Sequence, residues 1–173
     1  TIFFTFTASV FGLLILVFTP PFQVADEISH FGRVYKLTEL ETFQKYENNI
    51  YGARLPVSIA EVSNSFRFLC WKPENKTNFL QIKKASAIPL NNEIKDSYQI
   101  EAGTYFYISY LPQLPAVLLG RLFNFNPLYT LYIGRVFALI FYILTVRLAI
   151  KKTPFAKLLI TSIALMPMCL AQA

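Results

Sequence analysis

The sequence predicts an α-helical polytopic membrane protein whose first loop, outside the cytoplasm, mixes helices with short strands. Hydrophobic residues make up 54% of the 173, and charged residues only 15%, against about 25% in soluble domains. The charge is also segregated. All ten Asp and Glu fall between Asp26 and Glu101, together with ten of the sixteen Lys and Arg. The other six, Arg121, Arg135, Arg147, Lys151, Lys152 and Lys157, lie without an acid in the apolar C-terminal part. That part therefore carries the whole formal charge of +6. A nucleic-acid surface would place such charge on a polar face, so no nucleic-acid partner is expected.

Residues 1–19 read as a first transmembrane helix, uncharged through Phe18 and stopped by Pro20 and Pro21, which cannot continue it. No small-residue cleavage site follows the run, so a retained helix is expected rather than a signal peptide. Residues 20–104 form the loop. Within it Ile28, Phe31, Val34, Tyr35 and Leu37 recur at helical spacing, predicting a juxtamembrane helix near 26–40. The stretch Ser65–Trp71 looks strand-like. Residues 105–124 predict an interfacial helix, because three tyrosines, Gln113, Pro112 and Pro115 suit the membrane surface better than its core. Residues 127–150 predict a second transmembrane helix, followed at once by Lys151 and Lys152. Residues 154–173 read as the start of a third, cut short. The chain begins and ends inside apolar runs and is read as a fragment.

Orientation follows from the cluster Arg147, Lys151, Lys152 and Lys157, which favours the cytoplasmic side of a short loop. The protein is then a multi-pass protein of the plasma membrane with the loop 20–104 outside. If 105–123 also crossed, the acidic loop would be cytoplasmic instead.

The residues best placed for chemistry are Asp26, Glu27, His30 and Arg33, just past the outer end of the first helix. In a helix starting near Asp26, positions 26, 30 and 33 share a face, and Glu27 neighbours His30. Acids beside an imidazole and a guanidinium suit a charged lipid head group. Asp26 can serve as general base, or Asp26 and Glu27 can hold a divalent metal, Mg or Mn. The plainer alternative is that Asp26 caps the helix and Glu27 complements its dipole. Arg135, an ionisable residue within a span, is a candidate for a lipid phosphate, or else snorkels to the surface. Arg121 reads as an interface anchor, Lys83, Lys84 and Lys95 as solvated surface, and Trp71 as a packing residue. Cys70 and Cys169 have no metal-type spacing and no assigned role. Asn75-Lys76-Thr77 is a glycosylation sequon only in a host that uses it.

The run Pro21-Phe22-Gln23-Val24-Ala25-Asp26-Glu27-Ile28-Ser29-His30 resembles a family of uncharacterised bacterial predicted membrane proteins. Their first outer loop opens with Pro-x-x-x-Pro-Asp-Glu-x-x-His. The runs Ser109-Tyr110-Leu111-Pro112-Gln113 and Tyr132-Ile133-Gly134-Arg135 are similar to that family too. Ala25 departs from its usual proline. The family's layout is similar to the C-type (GT-C) glycosyltransferases, which carry an acidic motif in the first outer loop. This resemblance implies a GT-C-like enzyme that moves a sugar from a polyprenyl-phosphate donor to a cell-envelope glycan or lipid acceptor on the outer face. It implies Asp26 as catalytic base or metal-side carboxylate, with Glu27, His30 and Arg33 in support. The partners implied are the polyprenyl-phosphate-linked sugar, the envelope acceptor and membrane lipids. The alternative is a non-catalytic membrane protein that binds, exports or scaffolds assembly of an envelope polymer.

Overall fold

The computed structural model describes residues 1–24, 26–41, 45–47, 50–70, 72, 74–99 and 105–171, with backbone alone in the strands at 45–47, 50–53 and 95–99. Ala25 and Trp71 lie outside the described residues. The chain divides into two compact units, one made of residues 1–19 and 135–173, the other of 20–134.

The first unit is built on α1 (Ile2–Phe18) and the greater part of α6 (Pro127–Lys152). The 26 residues of α6 extend about 39 Å, more than the roughly 30 Å of a hydrocarbon core. Among the described residues it is the one helix both long and apolar enough to cross a membrane; α1, with 17 residues, is apolar but shorter. Phe4 and Ala8 of α1 pack with Leu139, Ile143 and Ile150 of α6. Gly12 permits this approach, since a Cβ there would stand 2.6 Å from Leu139 Cδ1. Most other large side chains of both helices point outward, among them Phe3, Phe6, Phe11, Ile140, Phe141, Leu144 and Leu148.

Residues 154–173 are expected to start a third span. The structure has α7 (Lys157–Ala164) and α8 (Pro167–Ala171) there. Pro167 lacks an amide hydrogen and disfavours helical backbone just before it, so the helix breaks there. Tyr142 Oη donates to the Ala164 carbonyl at 2.9 Å, at the end of α7.

The second unit holds α2 (Glu27–Leu37), a sheet, α3 (Val57–Asn64), α4 (Phe79–Ser86), α5 (Leu114–Leu122) and the start of α6. The sheet is antiparallel, in the order β1 (Lys45–Glu47), β2 (Ile50–Pro56), β3 (Ile94–Gln99), with Tyr46 opposite Tyr51 and Ala53 opposite Tyr98. The strand expected at Ser65–Trp71 is not there. Arg67–Leu69 is a 3-10 turn that follows α3. Phe66 and Leu69, both buried, are three residues apart and so fall on one side of such a turn. Phe31, Val34, Leu55, Ile59, Val62, Val117 and Leu128 complete the core.

Local rules fix the helix starts. Asn78 and Gln81 form a capping box on α4. Buried Asn126 accepts from Leu128 N at 2.6 Å and donates to the carbonyls of Ala85 and Ile88. Pro127 then occupies the first turn of α6, where its missing amide costs nothing.

The segment expected as one interfacial helix over 105–124 is a 3-10 turn, Tyr107–Tyr110, followed by α5. Pro115 sits in the first turn of α5, and Pro112 precedes it. Nine residues extend about 14 Å, too short to span. Ala116, Val117 and Gly120 face the core, while Leu118, Leu119 and Leu122 are exposed, so both faces of α5 are apolar.

Candidate functional site

The chain leaves α1 through Pro20 and Pro21 and enters α2 by a tight turn. Phe22 and Asp26 both hold left-handed backbone, with φ of 56° and 58°. Such values are uncommon for residues other than glycine, though Asp tolerates them better than most. Phe22 anchors the turn at three points. Its ring is buried and lies 6.4 Å from that of Phe66. Its amide donates to Glu27 Oε2 at 2.7 Å, and its carbonyl accepts from Cys70 Sγ at 3.6 Å.

Asp26 stands at the N-terminus of α2 on left-handed backbone. Its carboxylate makes no capping bond to the helix and its side chain is exposed. The capping alternative for Asp26 is not what the structure contains. The shared face expected for positions 26, 30 and 33 does not form either. Asp26 is left-handed and outside the helical spiral, while Arg33 turns inward and is 1% exposed. Glu27 braces the turn.

His30 is half-buried one turn along α2. Its Nδ1 lies 2.9 Å from Tyr110 Oη, and the Tyr105 ring stacks on it with centroids 5.9 Å apart. Burial pushes the Tyr110 phenol up, and the Arg33 charge partly opposes this. Burial in turn lowers Arg33 from its ordinary value. Arg33 NH1 donates to the Glu41 carbonyl at 3.4 Å. Tyr110 thus joins His30 from 80 residues away, within electrostatic reach of Arg33. It was not among the expected site residues; the only hint was a tyrosine inside the similar run Ser109–Gln113.

Arg135 has protein partners. Its NH1 donates to the carbonyls of Thr19 at 2.8 Å and Leu16 at 3.4 Å. These belong to the C-terminal turn of α1, whose last carbonyls lack helical partners and carry negative dipole. Through NH1 the guanidinium thus caps the C-terminal end of α1. Arg121, expected as an interface anchor, lies over the Tyr35 ring at 5.0 Å and bonds Thr38 Oγ1 at 2.7 Å and Glu39 at 3.3 Å.

Of the two acids expected to hold a divalent metal, Asp26 is exposed and Glu27 is engaged with the Phe22 amide. Mg²⁺ is commonly held by one or two carboxylates with substrate phosphates, but here Glu27 is turned back onto Phe22. Among the described residues no three His, Cys, Asp or Glu side chains gather. In the sequon, Asn75 Nδ2 is already engaged with the Phe68 carbonyl at 2.6 Å.

A family model described as "Predicted membrane protein (DUF2142)" matches residues 9–173. The chain belongs to this DUF2142 family. The membership agrees with α6, whose length and outward-facing apolar side chains suit a bilayer. No curated protein and no solved structure matches the chain. The DUF2142 description states a membrane protein and no activity.

Proposed function

We propose that this DUF2142 protein is a multi-pass plasma-membrane glycosyltransferase of GT-C-like layout. It moves a sugar from a polyprenyl-phosphate donor to an envelope acceptor on the outer face. The observation that carries the reading is Asp26. A left-handed backbone holds its exposed carboxylate at the entry of α2, eight residues past the last residue of α1, with no capping bond to occupy it. An uncapped, exposed carboxylate on left-handed backbone at a helix entry supports a functional reading.

In the reaction, the Asp26 carboxylate takes the proton of the acceptor hydroxyl as its oxygen forms a bond to the anomeric carbon. The bond from that carbon to the phosphate oxygen breaks, and the polyprenyl phosphate leaves with the electron pair. The loop 20–104 and Asp26 lie outside the cytoplasm. The exposed apolar side of α5, with Phe106 and Leu111, rests at the bilayer surface. Glu27 supports Asp26 by fixing the turn.

The non-catalytic reading, a scaffold or export protein for an envelope polymer, draws on the open position of Asp26, which is exposed and not enclosed. The envelope glycans of cells carrying the full-length gene separate the two. Asp26→Asn, at matched membrane abundance, should remove one sugar from the glycan. An unchanged glycan would favour the scaffold.

A further inference from the structure

His30 is the sole histidine of the sequence, and α2 turns it toward Tyr110. Only Nδ1 has a hydrogen-bonding partner among the described residues, Tyr110 Oη at 2.9 Å. Nε2 is therefore the nitrogen left to a ligand. The Tyr105 ring stacked at 5.9 Å, with Tyr110 at 5.7 Å, fixes the plane of the imidazole.

The surroundings of the phenol decide which partner donates. Tyr110 is buried, and burial keeps its proton on. Arg33, one turn beyond His30 on α2, has its charge within electrostatic reach of the phenol. Among the described residues Tyr110 Oη has no hydrogen-bonding partner but His30 Nδ1 at 2.9 Å. A buried hydroxyl hydrogen needs an acceptor, and here that acceptor is His30 Nδ1. A neutral imidazole that accepts at Nδ1 carries its proton at Nε2.

We propose that Tyr110 is a positioning residue that holds His30 in the Nε2–H tautomer, so that His30 offers a hydrogen-bond donor to an anionic phosphate oxygen of the substrate and does not act as a base. The ligand in this statement rests on the transferase reading; the tautomer does not. Roles divide accordingly. Asp26 takes the acceptor proton, and His30 steadies negative charge on the departing phosphate. This supplies a phosphate partner in place of Arg135, whose NH1 serves the end of α1.

The test uses full-length protein labelled with ¹⁵N-histidine, the His30 signal being assigned by its loss in His30→Gln. The expected spectrum has a bare Nδ1 and a protonated Nε2. Tyr110→Phe, which removes only the hydroxyl, should turn this into a mixture of tautomers. A polyprenyl monophosphate should shift the Nε2 signal, and detergent alone should not. In transfer assays His30→Ala should lose about 100-fold, the usual cost of one such donor. His30→Gln, whose amide can stand in for an Nε2 donor, should recover part of that rate. His30→Asn should not. A proton on Nδ1 in the native protein, or a spectrum unmoved by Tyr110→Phe, overturns the tautomer. Gln performing no better than Asn overturns the donor role. Native-rate transfer by Asp26→Asn removes Asp26 as the base and leaves the tautomer standing; no transfer by the native protein, with the tautomer as stated, sinks the transferase reading alone.

Discussion

Leu144 of α6 is 52% exposed, while Val34 of α2 is 0% exposed. The two residues are similar in chemistry, yet they occupy opposite positions in their units. The first unit turns Phe3, Phe6, Phe141 and Leu148 outward around a thin core. The second encloses Phe31, Val34, Val62 and Phe66, and even Arg33 and Lys36 lie inside. Lys36 is tolerated there because Glu39 at 2.7 Å and Glu41 at 3.5 Å receive it. In a membrane protein the outward apolar side chains of α6 suit lipid, while hydrophobic burial organises the second unit.

The sharpest way to break this comparison is to empty the second core. Phe66→Ala should cost about 3–5 kcal/mol, because a fully buried ring leaves a cavity. Chemical unfolding of the purified protein would read it; a loss under about 1 kcal/mol would mean that the second unit has no such core. Next in size is a matched pair of charges. Leu144→Asp should cost about 2.5–3.5 kcal/mol of insertion, whereas Leu80→Asp, exposed in the first turn of α4, should stay within about 0.5 kcal/mol. Membrane abundance of the two variants gives the answer, and equal losses would remove the distinction between the two units.

Gly12→Leu should follow, at about 1–3 kcal/mol, since the added side chain meets Leu139. Thermal unfolding in detergent would show it, and a neutral result would contradict the close approach of α1 and α6. The smallest effect concerns pH. Burial pushes the phenols of Tyr35 and Tyr110 up, so the folded second unit holds both protons more tightly than the unfolded chain. That stability is complete below the ordinary phenol value of about 10 and is lost as pH rises through the folded values. Melting temperature should drop above about pH 10, and less so in the Tyr35→Phe, Tyr110→Phe double variant.

Much of the helical framework was legible in the residues. Prolines 20, 21 and 127 mark helix ends by their missing amides, and the spacing of Ile28, Phe31, Val34, Tyr35 and Leu37 announced α2. The strands were harder. Lys45–Glu47 and Ile94–Gln99 are mostly polar, so they lack the alternation that marks a half-buried strand, whereas Phe66, Phe68 and Cys70 imitate it around a 3-10 turn. At the site, the acids stood out, but their division of labour did not. Asp and Glu at a helix start look alike in sequence, and only the fold turns Glu27 onto Phe22 while leaving Asp26 exposed. The His30–Tyr110 bond joins residues 80 apart, a pairing no local pattern encodes.

The central claim is that Asp26 is held for chemistry and not for folding. Sugar transfer from a polyprenyl-phosphate donor, measured on purified full-length protein beside its thermal stability, tests it most directly. Asp26→Asn should lower the rate by about 100-fold or more and leave the melting temperature unchanged, because the carboxylate caps nothing. A native rate with a lowered melting temperature would contradict the account and make Asp26 a structural residue.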